Sequence, residues 1–238
     1  MKDITIECSG YSVAADWYEG TSTDKILLAL YGYSSKKANQ TELVSSIVAS
    51  TDMSALVFDY SGHGDSPFKL EDTRPAQHFL EVIYAFDWLK DQYPNAEISV
   101  MGTSCGGFLA TQLTKYRSFD KLILRAPAIY QPNDFYTLNS EINSDSGWAA
   151  KDSFRKDKAA LANHPLLARA SSFSGKTLVV VHGSDEVIPK ETTDAYIKAF
   201  DAEVYAAEGF SHSLVNMPRD KVVEYQNKIS DWLNKVNA

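Results

Sequence analysis

The stretch VMGTSCGGF, Val100–Phe108, sets a serine and a cysteine side by side among glycines. Either side chain could act as a nucleophile on a carbonyl. The glycine spacing favours Ser104. A nucleophile on a sharp strand-to-helix turn has strained backbone, and the residues two before and two after it crowd together. With Ser104 at the tip, those positions are Gly102 and Gly106. With Cys105 at the tip they would be Thr103 and Gly107, and a β-branched threonine fits poorly there. Gly102-x-Ser104-x-Gly106, between an apolar run and a helical stretch from Phe108, has the form of a nucleophile elbow.

A serine of this kind needs a base and an acid that orients it. Asp185 follows the apolar run Thr177–Val181, in HGSDEVIP, and His212 follows Glu203–Ala206, in EGFSHS. Glu186 and Asp194 compete for the acid role, the first one residue away and the second a helix further on. Of the five histidines, only His212 has the order and position expected of the base. His63, in a GHG turn, reads as structural. His182 is expected to pack beside the site, and His78 and His164 have no supporting context.

These residues must be carried by strands and helices that bring them together. Ile26–Leu30, Ala55–Phe58, Ile98–Met101, Lys121–Leu124 and Thr177–Val181 are short runs without alternation, as in parallel strands covered on both faces. Ile4–Cys8 and Tyr11–Tyr18 alternate more and suit an antiparallel edge. Gln77–Tyr93 is predicted to be a helix with Leu80, Ile83, Tyr84 and Trp88 at helical spacing, and Pro94 lies just beyond its end. Lys221–Val236 is predicted to be another, with Val222, Val223, Ile229, Trp232, Leu233 and Val236 on one broad face. Strands alternating with helices give an α/β layered fold. Serine, acid and histidine then all fall in loops at the carboxyl ends of strands, where open α/β sheets bind ligands. The interval from Ile129 to Ser174 is too long for an ordinary βα connection and is expected to be an inserted cap.

On these motifs the chain resembles the α/β-hydrolase superfamily, which uses Ser…Asp…His in this chain order. Asp59–Ser66, DYSGHGDS, resembles the family's D-x-x-G-x-G-x-S turn, HGSDEVIP its acid loop and GFSHS its histidine loop. Within the superfamily the chain is most similar to small bacterial carboxylesterases of the cinnamoyl/feruloyl esterase or monoacylglycerol lipase type. The resemblance implies a mostly parallel central sheet with helices on both faces, in a single domain over 1–238 with 129–174 as the cap. It implies catalysis by Ser104, Asp185 and His212 and no cofactor or metal. It also implies an oxyanion hole from the backbone N–H groups of Cys105 and Tyr33. Tyr31 stands where the family usually has histidine, a departure in that loop.

The expected activity is hydrolysis of small to medium acyl or aromatic esters through an acyl-enzyme. Tyr130, Asp134, Tyr136 and Trp148 in the cap are candidate substrate contacts, the aromatics lining an acyl pocket or forming the cap's own core. A thioesterase, lipase or peptidase with the same triad is an alternative. So is a non-catalytic ligand-binding protein on the same fold. The 23 Lys+Arg against 31 Asp+Glu give a net charge of −8, which disfavours nucleic acid and anionic membranes as partners. Homodimerisation stays open. Two cysteines, no leader-like pattern in MKDITIECSGYSV and no long apolar run are the basis for expecting a cytoplasmic protein.

Overall fold

The computed structural model describes residues 1–235. Strands β1 (Lys2–Cys8), β2 (Tyr11–Tyr18), β3 (Lys25–Leu30), β4 (Ser54–Phe58), β5 (Glu97–Thr103), β6 (Lys121–Arg125), β7 (Lys176–His182) and β8 (Glu203–Ala207) form one sheet. Its order is β1-β2-β4-β3-β5-β6-β7-β8. β2 runs antiparallel to β1 and β4, and every pairing from β4 to β8 is parallel. The antiparallel edge and the parallel centre are those expected from the alternation pattern.

Successive residues of β3, Ile26 to Leu30, point to opposite faces of the sheet, yet all are buried. Both faces are therefore covered by helices, which is why these strands read as unbroken apolar runs. Helix α1 (Thr41–Ser50) packs against α8 (Arg219–Asn234), and α2 (Pro75–Gln92) against α3 (Cys105–Leu113). From β3 the chain reaches β4 on one side, then crosses back to β5 on the other. The crevice between the ends of β3 and β5 is thus the topological switch point of the sheet.

In two helices part of the expected apolar set faces outward. In α2 the buried residues include Phe79, Val82, Phe86 and Leu89, while Leu80 is 55% exposed and Tyr84 lies at the surface. The helix is apolar on two sides, and polar contacts decide between them. Glu81, on the buried side, receives the hydroxyls of Tyr11 and Ser61 and the Ser61 N–H. In α8, Val222, Ile229, Trp232 and Leu233 are buried as expected, but Val223 faces outward because Tyr225 and Gln226 occupy the inner face. Val236 lies outside the described residues.

Between β6 and β7 run the short helix α4 (Asn139–Ile142), α5 (Asp145–Lys156) and α6 (Lys158–Ala162). Ser144 caps α5 by accepting from Gly147 N, and Asp157 caps α6 by accepting from Ala159 N and Ala160 N. After these come α7 (Lys190–Phe200), β8 and α8. Cys8 and Cys105 are both free and buried. Among the described residues no helix is long and apolar enough to cross a membrane. Nor is any group of three or more His, Cys, Asp or Glu arranged to hold a metal ion.

Candidate active site

Ser104 stands between β5 and α3 with φ 52° and ψ −118°, a left-handed, strained conformation for a residue with a Cβ. Its N–H donates to Arg125 O at 3.0 Å, and its carbonyl accepts from Gly107 N and Ala128 N, each at 2.9 Å. The glycines are obligatory. A Cβ on Gly102 would meet Gly106 O at 2.4 Å, and one on Gly106 would meet Leu30 O at 2.4 Å. The crowding inferred from the spacing is therefore backbone against backbone. Burial pushes the Cys105 thiol up from its ordinary range, disfavouring the thiolate that a cysteine nucleophile needs.

Asp185 and His212 sit on the loops after β7 and β8, and His212 Nδ1 is 2.8 Å from Asp185 Oδ2. The second carboxylate oxygen accepts from Val187 N and Ile188 N, both at 2.8 Å. Burial alone would raise the Asp185 pKa. The bond from His212 and the two backbone bonds outweigh it and hold the group below the usual carboxylate range. The rival acids have other partners: Glu186 accepts from the His212 backbone N–H at 3.1 Å, and Asp194 pairs with Lys190. With Nδ1 turned to Asp185, the His212 Nε2 remains as the acceptor. Among the described residues neither His212 Nε2 nor the Ser104 hydroxyl has a hydrogen-bond partner. No Ser104–His212 hydrogen bond is made in this structure.

The loop after β3 reaches Ser104 at Gly32, whose position for a Cβ is 3.1 Å from Ser104 Cβ. Tyr31 precedes it, fully buried. The Tyr31 hydroxyl donates to Asp59 Oδ1 at 2.8 Å, and its ring packs on Tyr60 with centroids 4.8 Å apart. Asp59 also accepts from Lys37 N at 2.6 Å and Asp65 N at 2.9 Å. The DYSGHGDS turn thus tethers the Gly32 loop through its aspartate, with tyrosine supplying the side-chain donor. His63 adds a second tether by accepting from Ser34 N at 3.2 Å, a structural role as expected. Among the described residues neither the Tyr33 nor the Cys105 backbone N–H donates a hydrogen bond. The Cys105 group also opens helix α3, where the helix dipole favours negative charge.

A buried strut that sequence reasoning missed joins the serine loop to the histidine loop. Arg125 donates to Thr103 Oγ1 at 3.0 Å and, through Nε, to the Tyr225 hydroxyl at 2.7 Å. That hydroxyl is 2.9 Å from His182 Nε2, and His182 Nδ1 is 2.8 Å from Ser211 O. One direction satisfies every group: Arg125 to Tyr225, Tyr225 to neutral His182, His182 to the carbonyl just before His212. Burial, then the nearby Arg125 charge, lower the His182 pKa to about 4, so the neutral form persists. Histidine at a strand end before glycine was the only local signal; Arg125 and Tyr225 gave none.

Of the four residues proposed from the sequence as substrate contacts, Tyr130, Asp134 and Trp148 lie around Lys151, and Tyr136 is at the surface. Tyr130 is buried against Phe108 at 5.1 Å between centroids, with its hydroxyl beside the Cys105 thiol. Asp134 accepts from Gln131 N at 3.0 Å within its own turn. Tyr136 is 71% exposed, and Trp148, 43% exposed, covers Lys151. Phe135 packs between Phe79 and Phe108 and serves as core.

The eight-stranded, mostly parallel sheet, with a strained serine at its switch point, is the α/β-hydrolase fold. The chain belongs to the family described as "Serine aminopeptidase, S33", whose model matches residues 21–152, more than half of the chain. A Mycobacterium tuberculosis relative, itself uncharacterized, is 25% identical over 207 residues, covering 83% of this chain and 66% of the relative. The chain therefore spans slightly less than two thirds of that relative's length. Among solved structures, Est1E from Butyrivibrio proteoclasticus with ferulic acid bound has a TM-score of 0.71 at 16% identity, over 98% of this chain and 100% of that one. The Pyrococcus furiosus esterase Pf2001 has a TM-score of 0.70 at 18% identity, over 98% and 91%. The Paleococcus ferrophilus monoacylglycerol lipase has 0.69 at 14% identity, over 93% and 98%. At these identities the likeness establishes the fold.

Proposed function

We propose that this α/β hydrolase is a serine carboxylesterase acting on small to medium acyl or aromatic esters. The observation that carries the proposal is the strained Ser104 on the same sheet edge as the 2.8 Å Asp185–His212 pair. His212 Nε2 takes the Ser104 proton as Oγ attacks the ester carbonyl, and Asp185 orients the imidazole and stabilises its charged form. The tetrahedral oxyanion rests on the Tyr33 and Cys105 N–H groups, roughly 3–4 kcal/mol for one such donor. Collapse expels the alcohol, which takes its proton from His212. Water then attacks the acyl-enzyme with His212 again as base, releasing the acid and restoring Ser104.

The family's description as serine aminopeptidases favours a second reading, amide hydrolysis by the same triad. A panel of nitrophenyl esters, hydroxycinnamate esters, acyl thioesters and peptide amides separates the two by relative kcat/KM. A fluorophosphonate probe followed by peptide mass spectrometry should label Ser104. Intact labelling of Ser104→Ala, or full ester turnover by His212→Ala, contradicts the mechanism. A binding-only protein would show neither labelling nor turnover.

A further inference from the structure

Helix α5 carries two cations into the protein one turn apart, Lys151 and Arg155, only 2% and 3% exposed. Neither has a carboxylate within 4.0 Å among the described residues. Lys151 Nζ bonds Asn143 Oδ1 at 2.6 Å and lies over the Trp148 ring at 3.7 Å and the Tyr130 ring at 5.8 Å. Arg155 donates Nε to Ile129 O at 3.1 Å, with its guanidinium 5.5 Å from the Tyr130 ring centre. Its two terminal amino groups have no partner among the described residues. Asp134, whose charge is felt by both cations, accepts from Gln131 N–H instead of closing an ion pair.

This arrangement is expensive. An uncompensated buried charge costs several kcal/mol, and like charges four residues apart on a helix repel each other. The π faces of Tyr130 and Trp148 recover part of that cost. Burial, with Arg155 beside it, lowers the Lys151 pKa to about 8, so the group is still mostly charged at neutral pH.

The position of the pair gives the cost a use. Asn143, bonded to Lys151, also reaches the Tyr33 side chain, and Tyr130, beneath both cations, has its hydroxyl at the Cys105 thiol. Tyr33 and Cys105 are the two residues whose N–H groups the proposed mechanism assigns to the oxyanion. Each oxyanion-hole residue is therefore one side chain away from this charge pair.

We infer that Lys151 and Arg155 are the receptor for a carboxylate carried by the substrate, so that the enzyme's preferred esters are acidic ones. The inference rests on the ester-hydrolase reading for its substrate, but not for its binding site. The carboxylate takes the unpartnered terminal amino groups of Arg155 and an N–H of Lys151. It thereby neutralises the like-charge pair and places the ester carbonyl near Tyr33 and Cys105.

The test compares mono-4-nitrophenyl adipate with 4-nitrophenyl hexanoate, which differ in the charge at the chain end. Lys151→Met and Arg155→Met should each lower the adipate-to-hexanoate ratio of kcat/KM about 10- to 100-fold, the range for a lost charged hydrogen bond. Free adipate should bind wild-type protein in calorimetry at millimolar concentration and compete with hexanoate turnover. A ratio that both variants leave within about twofold overturns the inference, since the cations then serve every substrate alike. Absent adipate binding to the wild type overturns it without any variant. If wild-type protein turns over neither ester and resists fluorophosphonate, the ester-hydrolase reading fails, while adipate calorimetry still decides the receptor.

Discussion

Replacing Tyr225 by phenylalanine removes one oxygen from the middle of the strut between the serine and histidine loops. The ring is retained, and with it the stacking on Phe210 at 5.1 Å and the Arg125 contact at 5.1 Å. What disappears is the acceptor for Arg125 Nε at 2.7 Å and the donor to His182 Nε2 at 2.9 Å. Bonds to a charged group contribute about 1.5–3 kcal/mol, and a buried neutral acceptor left unsatisfied costs about 1–3 kcal/mol. With partial relaxation, Tyr225→Phe is expected to destabilise by about 3–5 kcal/mol. At about 2–4 °C per kcal/mol for a domain of this size, Tm falls by roughly 6–20 °C. Urea unfolding with linear extrapolation measures the change, and an unaltered m-value shows that the native state keeps its compactness. Because His182 anchors the carbonyl just before His212, kcat for a neutral ester should drop more than KM rises, through misplacement of the base. A loss of stability below about 1 kcal/mol together with unchanged kcat would refute the strut.

Acid should destabilise the fold through its buried histidines. Burial lowers His78 to about 3 and His182 to about 4, whereas the unfolded chain titrates near 6.5. Their contribution is complete above about pH 6.5 and disappears as pH falls toward 4 and then 3, because the unfolded state binds the protons first. Urea unfolding between pH 7.5 and 4.5 should show a loss of several kcal/mol; a flat profile over that interval would sink the assignment. Gly102→Ala and Gly106→Ala each drive a methyl into a carbonyl at 2.4 Å, and should cost more than about 3 kcal/mol or prevent soluble expression. Ser104→Ala should lower ester turnover by about a thousandfold or more, while Cys105→Ala stays within about tenfold of wild type. Equal losses in those two would return the attack to the cysteine.

What could be read from the sequence was whatever local crowding or covering writes into neighbouring residues. Gly102 is readable because its constraint is steric and lies within five residues of chain, against Gly106; Gly106 itself is crowded by Leu30 of the neighbouring strand. β3 and β7 are readable because cover on both faces leaves unbroken apolar runs, Ile26–Leu30 and Leu178–Val181, in their middles. In α2 the spacing picks out Leu80, Ile83, Tyr84 and Trp88, of which Ile83 and Trp88 pack against the core and Leu80 and Tyr84 face outward, because the helix is apolar on two sides. The choice between them is made by Glu81 meeting Tyr11, 70 residues away, and Ser61. The same distance hides the strut, in which Arg125 and Tyr225 are 100 residues apart. It hides the cation pair too: at i and i+4, Lys151 and Arg155 look like the solvated face of a charged helix. Only the sheet order that sets β6 between β5 and β7 puts Arg125 beneath the serine and Tyr225 beside His182. Polar groups buried by long-range topology are thus the part of this site that sequence periodicity hides. Their cost when unpaired makes them the part to search for function once the fold is known.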